Sequence, residues 1–145
     1  MVRDGCDISA QEVMKLRAAA EEVMHRAYAP YSRFAVGAAI LTVSRKIFVG
    51  CNVENAAFPV GLCAEAAAVG AMVAAVGVSQ VLAVLVMVAG PERAWPCGAC
   101  RQRLSEFARP DTKIYAASIG GELASSLLVD LLPLSFGPRN LTPGV

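Results

Sequence analysis

The sequence predicts an α/β fold, a β-sheet with helices on both sides. Segments with helical spacing and segments with strand-like spacing alternate along the chain in the order α-β-β-α-β-α-β-α. The uncharged stretch 66–90 breaks at Gly77-Val78-Ser79-Gln80 into an Ala-rich half and a short β-branched half, as a helix followed by a buried strand would. No repeat, linker or low-complexity segment interrupts the 145 residues, so one domain is expected over residues 1–145.

The elements follow in order. Ser9 and Glu12 have the capping-box spacing, and Val13, Leu16, Ala20, Val23 and Ala27 recur at helical intervals, which predicts a helix over 9–28. His25 falls in its last turn, where a histidine faces the negative end of the helix dipole. Residues 34–42 and 45–53 read as two strands joined by a turn without Asn-Gly or Asp-Gly. Residues 58–61 are expected as a loop and 62–76 as a helix with a small-residue face. A strand over 81–88, a loop over 90–95 and a helix over 97–107 come next. A strand over 113–117 and a helix over 122–132 complete the core, with the last residues expected as a loose tail.

Composition narrows the function. The chain is 56% hydrophobic and 17% charged, with a net charge of +1 and no basic run, so a nucleic-acid backbone is not the expected ligand. The apolar excess points to association with further copies of the chain. The long uncharged stretch is not read as a membrane span, because Gly77 to Gln80 divide it and no Lys/Arg cluster flanks it. The first residues have no apolar core, so no signal peptide is expected and the location read is cytoplasmic. In such a compartment five cysteines suit metal ligands and buried thiols better than disulfides. Cys6 is expected in a flexible start, and Cys51 as a buried free thiol.

Two motifs carry chemistry. Cys63-Ala64-Glu65 opens one expected helix, and Pro96-Cys97-Gly98-Ala99-Cys100 opens another. Helix N-termini stabilise thiolates through free N–H groups and the helix dipole. Cys63, Cys97 and Cys100 would together hold one Zn²⁺ per chain. Three protein ligands leave the fourth position to water, as in catalytic rather than structural zinc sites. Glu65, two residues past Cys63, would lean over that water without binding the metal. It would protonate a ring nitrogen as the water is deprotonated, then pass a proton to a leaving amine. A closed four-cysteine site with Cys51 as fourth ligand is the alternative, with Glu65 then a helix cap. Asn52 and Glu54 share one side of their strand, either to bind sugar hydroxyls or simply as a solvated strand end.

At these motifs the sequence resembles the small homotetrameric zinc-dependent cytidine deaminases, over residues 31–141. The blocks are Tyr31-Ser32-Arg33-Phe34-Ala35-Val36-Gly37, Gly50-Cys51-Asn52-Val53-Glu54-Asn55-Ala56, Gly61-Leu62-Cys63-Ala64-Glu65, Pro96-Cys97-Gly98-Ala99-Cys100-Arg101-Gln102, and Leu131-Leu132-Pro133-Leu134-Ser135-Phe136-Gly137-Pro138. The resemblance implies a three-layer α/β fold with a mixed sheet of about five strands. It implies hydrolytic deamination of cytidine and deoxycytidine to uridine and deoxyuridine, with release of ammonia, in pyrimidine salvage. Cys63, Cys97 and Cys100 would bind zinc, and Glu65 would be catalytic. Phe34 would pack by the base, Asn52 and Glu54 would hold the ribose, and the backbone at Ala64 and before Cys97 would read the pyrimidine. Phe136, and residues 56–58, would reach a neighbouring subunit's site in the tetramer. A deaminase of a modified nucleoside such as blasticidin S, or a non-catalytic zinc-stabilised interaction module, are the rival readings. The chain departs from the family pattern in Ala66, where Arg is common and can hydrogen-bond the cysteine sulfurs, and in Phe58, where Tyr is common. Arg101 or the helix termini would have to compensate for the missing Arg.

Overall fold

The computed structural model describes residues 7–141, so Cys6 and residues 142–145 lie outside the described residues. Five strands form one mixed sheet in the order β2-β1-β3-β4-β5. They are β1 (Val36–Thr42), β2 (Ile47–Cys51), β3 (Val81–Val88), β4 (Ala108–Ser118) and β5 (Ala124–Leu127). β1 pairs antiparallel with both β2 and β3, β3 pairs parallel with β4, and β4 pairs antiparallel with β5. The helices are α1 (Ala10–Met24), α2 (Ala64–Val76), α3 (Gly98–Ser105) and α4 (Leu128–Leu131).

Strand alternation sorts the core into two layers. Ala39 and Leu41 of β1, Ala83, Leu85 and Met87 of β3, and Tyr115 and Ala117 of β4 bury themselves against Leu16, Ala20 and Met24 of α1. Their neighbours Ala38, Ile40, Val84, Val86 and Ile114 face Ala64, Ala68 and Met72 of α2, Leu104 of α3 and Leu128 of α4. One helix therefore covers one face, and three helices cover the other. β3 is the centre of this sandwich and is buried along its whole length. A strand covered on both faces has no polar side to show, hence the continuous apolar run Val81 to Val88. No helix among the described residues is long and apolar enough to cross a membrane.

Several local expectations hold. Ser9 caps α1, with the Glu12 amide donating to its hydroxyl at 3.2 Å and the Ser9 amide donating to the Glu12 carboxylate at 2.9 Å. α1 ends earlier than predicted, and His25 is its exposed C-cap. The β1–β2 turn works without Asn-Gly because Arg45 takes the left-handed position at φ 61°, held by an ion pair to Glu12 at 2.9 Å. The expected loop at residues 58–61 contains a short 3₁₀ turn, Phe58–Val60.

Two expectations fail. The helix predicted over 122–132 is instead the edge strand β5 followed by the single turn α4. Ala124 to Leu127 pair along the edge of β4, in the register Ala116↔Ala124 to Lys113↔Leu127, and this ladder outweighs a weak local helix preference. The strand predicted over 113–117 begins at Ala108, because the pairing with β3 resumes across the irregularity at Arg109 to Thr112. Thr112 bridges that irregularity, its hydroxyl donating to Val81 O at 3.0 Å and accepting the Arg109 amide at 2.9 Å.

Candidate active site

α2 and α3 begin beside each other on the three-helix face of the sheet. Cys63 is the N-cap of α2 and Cys97 the N-cap of α3, both in extended backbone, and Cys100 lies buried in the first turn of α3. The three Sγ atoms lie within 4.8 Å of one another. The electrostatics of the trio are uneven. Burial pushes the Cys100 thiol far up, and the negative charges of Glu65, Cys63 and Cys97 add to it. Burial also raises Cys63. Cys97 goes the other way, because the backbone N–H of Cys100, and then that of Ala99, stabilise its thiolate. Three soft sulfur donors converging at two helix N-termini fit a zinc ion, and no other His, Cys, Asp or Glu among the described residues joins the cluster. The fourth-cysteine alternative therefore fails: Cys51 is a free, half-buried thiol on β2, apart from the group.

Glu65 follows in the first turn of α2 and is 5% exposed. A cleft of about 620 Å³ opens over it, with Cys63, Ala64, Glu65 and Cys97 in its wall. Phe34, Asn52 and Glu54 line the same cleft, as do Trp95 and Phe58. The structure thus brings Phe34, Asn52, Glu54, Cys63, Ala64, Glu65 and Cys97 to one cavity, with Cys100 buried behind it. Phe136 stands apart: it is 57% exposed, does not line its own chain's cleft, and is fixed through its carbonyl, which accepts from Gln102 Nε2 at 3.0 Å. Phe58 lines the cleft of its own chain.

Asn52 and Glu54 organise the segment that carries Phe34. Asn52 Nδ2 donates to Phe34 O at 2.8 Å, and its Oδ1 accepts the Val36 amide at 2.8 Å. Glu54 accepts the amides of Tyr31 at 2.9 Å and Ser32 at 3.2 Å, and the Ser32 hydroxyl as well. The Ser32 hydroxyl and these amides hold the Glu54 carboxyl below its ordinary value.

The match with a family model decides whose site this is. Residues 10–117 match the model of the cytidine and deoxycytidylate deaminase zinc-binding region. The chain belongs to this deaminase family. Among its relatives is the cytidine deaminase of Sporosarcina psychrophila, 37% identical over 132 residues that span 90% of this chain and 96% of that protein. The cytidine deaminase of Mycobacterium tuberculosis is 39% identical over 126 residues, 87% of this chain and 90% of that one. The crystal structure of cytidine deaminase from Burkholderia pseudomallei superposes with a TM-score of 0.78 at 36% identity, covering 89% of this chain and all of that one. The mixed five-stranded sheet between helices is the fold these deaminases share.

Against this deaminase frame, the departures find their place. Ala66 puts no guanidinium beside the sulfurs. Arg101 does not replace it: its Nε donates to Pro96 O at 2.7 Å and its Nη1 to Leu131 O at 2.9 Å. The helix N-termini are what remain, most directly the amides of Cys100 and Ala99 at Cys97. Sequence reasoning overlooked Ser32, Arg101 as a clamp, and the side chain of Trp95 in the cleft. The signal for Ser32 was local: a serine two residues before Phe34 accepts that residue's amide, at 3.0 Å here. Arg101 gave no such signal, since its partners come from a loop and from α4.

Proposed function

We propose that this chain deaminates cytidine and deoxycytidine hydrolytically, giving the uridine nucleosides and ammonia. The observation that carries the reading is the cysteine trio at two helix starts with the buried Glu65 beside it, opening on one cleft. Cys63, Cys97 and Cys100 are the residues that would hold zinc. Zinc, when bound, acidifies water toward a pKa of about 7 and so supplies the nucleophile at neutral pH.

Glu65 performs the proton transfers. Its carboxylate takes a proton from the attacking water and delivers it to the pyrimidine nitrogen beside the attacked carbon. It then moves the second proton to the exocyclic amine, which leaves as ammonia while the carbonyl forms. The burial of Glu65 excludes bulk water from those transfers. The exposed Phe34 ring offers a face to the base, and Ala64, in the cleft wall at the start of α2, would meet its polar edge through its backbone. Asn52 and Glu54 are the polar groups on the sugar side. None of the residues lining the cleft is Lys or Arg, which suits an uncharged nucleoside better than a nucleotide.

The reading extends to a cytoplasmic homotetramer. Of the four described cysteines three are the proposed zinc ligands and Cys51 is a lone thiol, a usage that suits a reducing compartment. Val73 and Val76 of α2 and Val78 just beyond it are exposed, and their burial against another copy of the chain would favour association. In that assembly Phe136 completes a neighbouring subunit's site.

The deciding experiment follows the ultraviolet band of cytidine with purified protein and assays zinc in the same sample. A falling band with about one zinc per chain is expected, and Glu65→Gln should abolish the fall while zinc and fold remain. Zinc without turnover of cytidine, deoxycytidine or a modified cytosine nucleoside would overturn the enzyme reading.

A further inference from the structure

The carboxylate on the proposed sugar side and the ring on the proposed base side are joined by a single hydroxyl. Ser32 donates its hydroxyl proton to Glu54 Oε1, and the same hydroxyl oxygen accepts the Phe34 amide at 3.0 Å. Arg33, between them, sits at φ 57°, a left-handed conformation that residues with a side chain seldom adopt. Such a conformation persists only where its surroundings over-determine it. Here Glu54 grips the segment from Tyr31 to Ser32, and Asn52 grips it from Phe34 to Val36. Ser32 is the link between the two grips.

The acceptor count shows where a ligand fits. Glu54 Oε2 already takes two amides, and Oε1 takes the Ser32 hydroxyl alone. Each carboxylate oxygen has about two acceptor positions, so the spare one lies on Oε1. That is the oxygen Ser32 holds in place. Ser32 and Glu54 both line the main cleft, and both line the cavity of about 380 Å³ at its mouth.

We propose that Ser32 is a positioning residue that locks the Glu54 carboxylate to the backbone of Phe34, so that the sugar hydroxyls and the base of a nucleoside meet one preorganised unit. The proposal rests on the functional reading above. Preorganisation of this kind removes an ordering cost from binding. It serves ground state and transition state alike, so its loss raises KM and leaves kcat.

The test compares Ser32→Ala and Ser32→Thr on two substrates, cytidine and 2′,3′-dideoxycytidine, which keeps the base and the 5′-hydroxyl and lacks the 2′- and 3′-hydroxyls. For cytidine, Ser32→Ala should lower kcat/KM about tenfold, the order expected for one charge-assisted hydrogen bond, through KM. Ser32→Thr should recover most of that loss. For the dideoxy substrate Ser32→Ala should cost less than about twofold, because the aligned carboxylate has nothing to receive. An equal loss on both substrates, a loss in kcat alone, or no loss would overturn the proposal while leaving the deaminase reading intact. Wild-type protein that turns over neither substrate would overturn both. Should Ser32→Ala fail to fold, Ser32→Thr against Ser32→Val, a pair of equal shape differing in the hydroxyl, carries the same comparison.

Discussion

Gly50 of β2 and Ala68 of α2 touch backbone to backbone: a methyl group added at Gly50 would lie 2.3 Å from the Ala68 nitrogen and 2.4 Å from the Ala64 carbonyl oxygen. Neither atom belongs to a side chain that can turn aside. Ala64 stands between Cys63 and Glu65, so this contact sets the height of the helix start above the sheet. Gly50→Ala should therefore destabilise the fold by about 3 kcal/mol, which lowers the thermal midpoint by roughly 10 °C. It should also reduce bound zinc in the fraction that folds. Gly37→Ala is the control, since its methyl would strike Ala20 O at 2.0 Å on the opposite face, under α1. Both variants should melt early, but only Gly50→Ala should lose zinc, as read by calorimetry and metal analysis on the same samples. Equal zinc content in the two would break the link between this contact and the site.

The grouping of the candidate site was more legible in the sequence than the fold around it. Cys63, Glu65, Cys97 and Cys100 announce themselves because a thiolate trio beside a carboxylate suits a metal and its bound water and little else, and the chemistry fixes the spacing. β3 was equally plain, as a run buried on both faces. β5 was not: Ala124 to Leu127 become a strand only because β4 offers them an edge, and nothing within four residues announces that partner. Asn52 and Glu54 were ambiguous for a related reason. Spacing put them on one side of a strand, but their hydrogen bonds run to residues 31–36, far away in the chain.

The pH dependence of the Phe34 segment follows from Glu54. Its carboxyl is held below the ordinary value, so the folded state prefers it ionised. A depressed pKa contributes stability that is present above the unfolded value and lost as pH falls through the folded one. The Tyr31 and Ser32 amides and the Ser32 hydroxyl are what protonation would release. The midpoint difference between wild type and Glu54→Gln should therefore be widest near neutral pH and should close on acidification below the ordinary glutamate range. Thermal melts of both proteins across that range check it. A gap that widens toward acid would reverse the sign and remove Glu54 as the anchor.

Phe136 gives a prediction that separates a subunit's own site from its neighbour's. The side chain is half exposed in the isolated chain, so Phe136→Ala should change the stability of the subunit by less than about 0.5 kcal/mol. If the ring completes a neighbouring cleft, kcat/KM should still fall about fivefold, as the loss of roughly 1 kcal/mol of aromatic contact requires. Co-expression with Glu65→Gln subunits then supplies the decisive comparison. In a mixed assembly an intact Glu65 from one subunit meets an intact Phe136 from the other. The activity per intact Glu65 should rise above that of Phe136→Ala alone. A mixture no more active than its parts would remove Phe136 from the neighbour's site.

Arg101 ties the loop before Cys97 to α4. Its guanidinium spans Pro96 O at 2.7 Å and Leu131 O at 2.9 Å, and Pro96 immediately precedes Cys97, one of the three proposed zinc ligands. A planar fork can serve two carbonyls on different elements, whereas a lysine ammonium on a flexible stem cannot hold both in the same geometry. Removing a part-buried charged donor costs about 2 kcal/mol, so Arg101→Leu should melt several degrees early. The more specific consequence is kinetic. With Pro96 freed, the Cys97 corner opens more often, and zinc should pass to a competing chelator severalfold faster than from wild type. Arg101→Lys should fall between the two in both measurements. If Arg101→Leu loses stability but releases zinc at the wild-type rate, the residue holds α4 alone, and the N-terminus of α3 keeps the cysteines in place without it.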